Sequence, residues 1–211
     1  MATRRFGASV LHDVLRLAMA GSAVAALAYQ IANLEDADVF RPANFFSFFT
    51  VQSNVLAIAL LAACVLVRRD DRGPTFDALR GAVTLYMVIT GVVFALFLSG
   101  MQEELQTHIA WVDFIVHRLM PVALLADWLD DPPRHRLAPR VALLWLLYPL
   151  AYFTYSLIRG EIVDWYPYPF LDASELGYGG VLVRCLGILA GMIVAALALA
   201  EVGNRLGRRR P

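Results

Sequence analysis

A hydroxyl, an imidazole and a carboxylate stand out in a chain that is otherwise mostly apolar. Asp113 and His117 are four residues apart, so on a helix they share one face, with the carboxylate one turn from the imidazole. Thr50 lies in a different apolar stretch, four residues before Asn54, with Ser47 and Ser53 close to the same stripe and Gln52 in the same polar cluster. A hydroxyl that attacks, an imidazole that takes its proton and a third group that orients the ring are the parts of a nucleophilic hydrolase. In that chemistry Asp113 orients His117, and Asn54 or Ser53 donates to the oxyanion. The same residues have a structural reading. Thr and Ser bond back to their own helix, and polar side chains hold helices together in lipid. Asp113 also has a candidate structural partner in Arg184, at similar depth in the last apolar stretch.

Other chemistry has little to build on. A metal site usually takes three or four His, Cys or carboxylate ligands, and only His117 falls well inside an apolar stretch; His12 and His108 stand at edges and His135 in a loop. Neither a metal nor any other cofactor is expected. There is no Gly-x-Ser-Gly loop, no Gly-rich phosphate loop and no basic-aromatic surface for nucleic acid. Cys64 and Cys185 lack CxxC spacing and read as inert packing thiols.

The elements that must carry these residues are membrane helices. Hydrophobic residues make up 59% of the 211 positions and charged ones 17%, and the mean hydropathy is +0.60. That leaves too little polar surface to cover a water-soluble globule. Six stretches reach the roughly 20 apolar residues that a spanning helix needs: Val10–Ala32, Phe45–Val67, Leu79–Ser99, Thr107–Leu129, Pro139–Ile158 and Gly179–Ala200. We therefore expect one all-α membrane domain over residues 1–211, a bundle of six spanning helices. At about 1.5 Å per residue, Thr50 falls ~8 Å and His117 ~12 Å below the outer boundary, which are compatible depths.

Orientation follows from arginine. All 18 basic residues are Arg, and 13 of them fall at the N-terminus, in the loops after the second and fourth stretches, and in the tail. Basic residues favour the cytoplasmic side, so both termini are expected there. The alternate loops are acidic, with Glu35, Asp36, Asp38, Glu103, Glu104, Glu161, Asp164, Asp172 and Glu175. The first apolar stretch is longer than a signal-peptide core and is expected to be retained. Enrichment in Ala and Arg suits a GC-rich bacterial genome, which makes a bacterial inner membrane the expected location. Trp165-Tyr166-Pro167-Tyr168-Pro169-Phe170 cannot form a regular helix, and Trp and Tyr favour the membrane–water boundary. A non-helical cover over the outer mouth of the bundle, or a plain interfacial anchor, is expected there.

Three segments carry a resemblance. Phe48-Phe49-Thr50, His117 followed by Pro121, and Arg159-Gly160 leading to Trp165-Tyr166-Pro167-Tyr168-Pro169-Phe170-Leu171-Asp172 together resemble the androgen-induced, FAR-17a-like family of multispan membrane proteins. Animal members of that family hydrolyse fatty acid esters of hydroxy fatty acids with a Thr nucleophile and a His. The resemblance implies those roles for Thr50 and His117, with a lipid acyl ester as substrate and membrane lipids as surroundings. The competing expectation is a non-enzymatic membrane protein, a small-solute carrier or a partner-binding subunit, whose polar clusters only hold helices together.

Overall fold

We describe residues 2–101 and 109–208 of a computed structural model, with side chains from Val10 onward. Glu103, Glu104 and His108, the first residues of the stretch expected from Thr107, and the tail residues Arg209 and Arg210 lie outside the described residues. Among the described residues the structure is helical and contains no strand. The elements are α1 (Ala2–Asp36), the short α2 (Pro42–Phe45), α3 (Phe49–Leu66) and α4 (Pro74–Val93), which runs on into a π-helical turn at Phe94–Leu98. Then come α5 (Ala110–Phe114), a second π-helical turn (Ile115–Leu119), α6 (Met120–Asp130), α7 (Pro139–Leu144), α8 (Leu147–Val163) and α9 (Ala173–Arg208).

Among the described residues five helices are long and apolar enough to cross a membrane: Val10–Asp36, Phe49–Leu66, Pro74–Leu98, Pro139–Val163 and Ala173–Arg208. The run from α5 through α6 is also continuous helix, but Asp113, Arg118, Asp127 and Asp130 make it more charged. Large apolar side chains face outward, among them Leu66 at 82% exposed and Ile162 at 76%. Water would penalise such a surface and lipid would not.

Without water to drive them together, membrane helices associate through close packing of small residues and through polar contacts. α1 meets α3 through Ala23, Ala26 and Ala57, all fully buried. α4 meets the second π turn at Gly91, where an added Cβ would stand 2.9 Å from Pro121 and 3.4 Å from the His117 carbonyl. Gly177, at φ +64°, makes the kink near the start of α9.

The fifth expected stretch is one span by composition and two helices in structure. Pro149 has no N–H to offer the carbonyl four residues back, at Trp145, and its ring crowds that carbonyl. The helix breaks there, between α7 and α8. Tyr86 of α4 donates its hydroxyl to the freed Trp145 carbonyl at 2.9 Å.

At the Arg-rich end an ionic network ties the bundle together. Arg16 reaches Asp127 at 2.7 Å and Asp131 at 2.6 Å, Arg72 reaches Asp131 at 2.7 Å, and Arg80 reaches Asp127 at 2.9 Å. Burial alone would raise the Asp131 carboxyl, but Arg80, Arg16, Arg69 and Arg72 outweigh it and hold the group well below the ordinary carboxylate range. Nearby, buried Asp77 accepts the backbone N–H groups of Arg134 and His135, both at 3.0 Å, and so pins the connection between α6 and α7 to the first turn of α4.

Candidate active site

Thr50 is the second residue of α3, close to where the chain turns out of α2, and its side chain is buried. His117 sits in the π turn between α5 and α6. Such a turn widens the helix by one residue and often marks a functional position. The two side chains meet: Thr50 Oγ1 lies 3.2 Å from His117 Nε2. On its other side the imidazole reaches Asp113, with Nδ1 3.0 Å from Oδ1. Arg118 donates to the second carboxylate oxygen at 2.6 Å.

These contacts assign the proton. A carboxylate ion-paired to Arg118 only accepts, so Nδ1 carries a hydrogen, and in the neutral imidazole Nε2 then accepts from the Thr50 hydroxyl. This is the arrangement of an attacking hydroxyl, its base and the group that orients the base. The Phe94 ring lies against the imidazole and fixes its plane.

Thr50 differs from several other Ser and Thr hydroxyls in the helices. Ser22, Thr90 and Thr154 donate to carbonyls of their own helix, at Met19, Tyr86 and Leu150. The Thr50 hydroxyl turns instead to another part of the chain. The remaining polar residues of α3 do other things. Asn54 spends its amide on two carbonyls, Thr50 at 2.9 Å and Val116 at 3.2 Å, and so locks α3 to the π turn. Ser53 is fully buried, and its hydroxyl has no partner among the described residues. Ser47 pairs with Tyr155 and Gln52 with Tyr148, both on α8. Asp113 does not pair with Arg184, its candidate partner, and finds His117 and Arg118 instead. Arg184 points out of α9 and donates to its own Gly180 carbonyl at 3.1 Å.

A narrow apolar pocket opens beside Thr50. Phe49, Ile89, Tyr152, Phe153, Ile188 and Met192 contribute to its wall. Phe153 and Ile188 are half-buried, so the pocket reaches the outward faces of α8 and α9. A second, smaller space also borders Thr50, lined by Gln30, His117 and Tyr168 among others. Among the described residues no three His, Cys or carboxylate side chains gather to hold a metal.

The irregular segment after α8 folds over this end of the bundle. Trp165 packs edge-on against Phe48, with the Arg159 guanidinium 4.9 Å from its ring, and Arg159 also donates to Asn44 at 2.6 Å. Tyr168 turns inward until its hydroxyl reaches Thr50. Sequence reasoning missed Tyr168, Phe94 and the Asp113 contact of Arg118. The spacing of Arg118, five residues after Asp113, was the one visible hint, since a π turn brings i and i+5 together. No family model, curated protein or solved structure matches this chain.

Proposed function

We propose that this protein is an intramembrane lipid-ester hydrolase, six helices across the membrane with both termini cytoplasmic, in which Thr50 is the nucleophile and His117 its base. One observation carries the reading: the contact of Thr50 Oγ1 with a His117 whose other nitrogen is held by a carboxylate, beside an apolar pocket. The resemblance to the FAR-17a-like family points the same way, and so does the arginine asymmetry for the orientation.

The chemistry follows from the assigned proton. His117 Nε2 takes the hydrogen of Thr50 Oγ1 as that oxygen bonds to the ester carbonyl carbon. The imidazolium, steadied by Asp113, then protonates the departing alcohol and leaves an acyl ester on Thr50. A water deprotonated by His117 attacks that ester, and the proton returns to Thr50 Oγ1 as the fatty acid leaves. The acyl chain occupies the apolar pocket and enters from the lipid side, past Phe153 and Ile188.

Thr50→Ala and His117→Ala are each expected to abolish turnover of long-chain esters by purified protein. A fluorophosphonate should label the wild type at Thr50 and not the His117 variant. Turnover preserved in both variants overturns the assignment, and a carrier or partner-binding subunit then becomes the better reading.

A further inference from the structure

The Tyr168 side chain is only 5% exposed, yet it comes from an irregular connection and not from a long apolar helix. Aromatic contacts fix its ring. It stacks on Phe170 with centroids 5.1 Å apart and planes 6° from parallel, and it meets the edge of Phe48 at 5.7 Å. Its oxygen accepts the Thr50 backbone N–H at 3.2 Å and stands 3.5 Å from Thr50 Oγ1. Thr50 lies in the first turn of α3, where backbone N–H groups have no carbonyl within the helix to bond. Tyr168 supplies one of them with a partner.

Accepting that N–H leaves the phenolic hydrogen to be donated elsewhere, and a hydroxyl that accepts one hydrogen bond donates its own more strongly. Tyr168 and Thr50 both line the apolar pocket. We propose that the Tyr168 hydroxyl is the oxyanion donor of this site. The inference rests on Thr50 being the nucleophile. As Oγ1 bonds to the carbonyl carbon and its proton passes to His117, the carbonyl π pair moves onto oxygen. Tyr168 keeps its proton and donates a hydrogen bond to that new charge. The Thr50 N–H behind it and the positive end of the α3 dipole add to the stabilisation. Two oxygens on one tetrahedral carbon lie closer together than a hydrogen bond, so a donor at 3.5 Å from Oγ1 is within reach of the second oxygen. Asn54 does not compete, because its amide serves the Thr50 and Val116 carbonyls. Ser53 does not compete either, because it lines neither pocket.

The test compares a long-chain trifluoromethyl ketone, which forms an anionic tetrahedral adduct with a nucleophilic hydroxyl, with the methyl ketone of the same chain. The wild type should favour the trifluoromethyl ketone, and Thr50→Ala should lose that preference. Tyr168→Phe should weaken the trifluoromethyl ketone about 10²-fold, and lower kcat similarly, while methyl ketone affinity and KM hold. Undiminished kcat and adduct affinity in Tyr168→Phe overturn the inference and leave Thr50 in place. A raised kcat overturns it as well, since the phenol would then be a plug on the first turn of α3. Equal affinities of wild type and Thr50→Ala for both ketones remove the nucleophile reading, and this donor with it. Should Tyr168→Phe fail to fold, 3-fluorotyrosine at position 168 keeps the contacts and strengthens the donor. Adduct affinity should then rise, and an unchanged value overturns the assignment.

Discussion

The His117 imidazole lies flat on the Phe94 ring, with centroids 4.0 Å apart and planes 13° from parallel. Each residue belongs to a π-helical turn, one continuing α4 and the other joining α5 to α6. Arg118 lies over the same Phe94 ring, its guanidinium carbon 5.1 Å from the centroid. The stack holds the imidazole in the plane where one nitrogen meets Asp113 and the other meets Thr50. Phe94→Ala is therefore expected to lower kcat about tenfold or more through lost orientation, with KM little changed. Steady-state kinetics on a long-chain ester separates the two effects. A variant that changes KM alone would place Phe94 in substrate binding.

Asp113→Asn removes the acceptor that holds hydrogen on Nδ1 of His117. An amide in that place permits the tautomer in which Nε2 carries the hydrogen and cannot receive one from Thr50. Loss of the orienting carboxylate should cost about 10³-fold or more in kcat, as the wrong tautomer does in other triads. Fluorophosphonate labelling of Thr50 should slow in parallel, because it uses the same deprotonation. Labelling at the wild-type rate would reduce Asp113 to an ion-pair partner of Arg118.

What the sequence made legible was whatever depends on neighbours along one helix. Asp113 and His117 share a face because four residues separate them, and the prolines at 167 and 169 rule out a regular helix on either side of Tyr168. The meeting of Thr50 with His117 depends on how α3 packs against the π turn, and depth alone made it no more than allowed. Arg184 shows the limit of depth as a guide: its level suits Asp113, but the rotation of α9 turns it outward. Pro149 breaks its helix for a local reason, while the Tyr86 hydroxyl that makes the break tolerable comes from another helix. Tyr168 was legible as part of a cover, but its inward turn follows from rings that meet only in three dimensions.

Arg184 offers a test of the bundle's outer surface. Among the described residues its exposed side chain has one hydrogen-bond partner, a carbonyl of its own helix. A charge on a lipid-facing helix costs up to roughly 2.5–3.5 kcal/mol at the bilayer centre and less near the boundary. Arg184→Leu should keep full turnover and raise the thermal midpoint in detergent. A drop in turnover or midpoint would show that Arg184 meets an anionic partner outside the single chain.

Asp131 gives the clearest expectation for pH. Arg16 and Arg72 both approach it closely, and its carboxyl is held below the ordinary range. Asp131→Asn leaves those two arginines short of a counter-charge, and breaking a buried pair from one side costs about 3 kcal/mol or more. A carboxyl with a depressed folded-state pKa stabilises fully above its unfolded value, about 3.9, and loses that contribution as pH falls toward the folded value. The midpoint difference between wild type and Asp131→Asn should thus be constant from pH 8 to about pH 5 and shrink below about pH 4. Turnover at pH 7 should follow the folded fraction alone, because Asp131 sits with the arginines at the far end of α6 from His117. Thermal unfolding of the helices, followed by circular dichroism at each pH, reads the midpoint directly. A variant as stable as the wild type at pH 7 would mean that Asp127 and Asp13 balance these arginines well enough, and that Asp131 sets helix register and not stability.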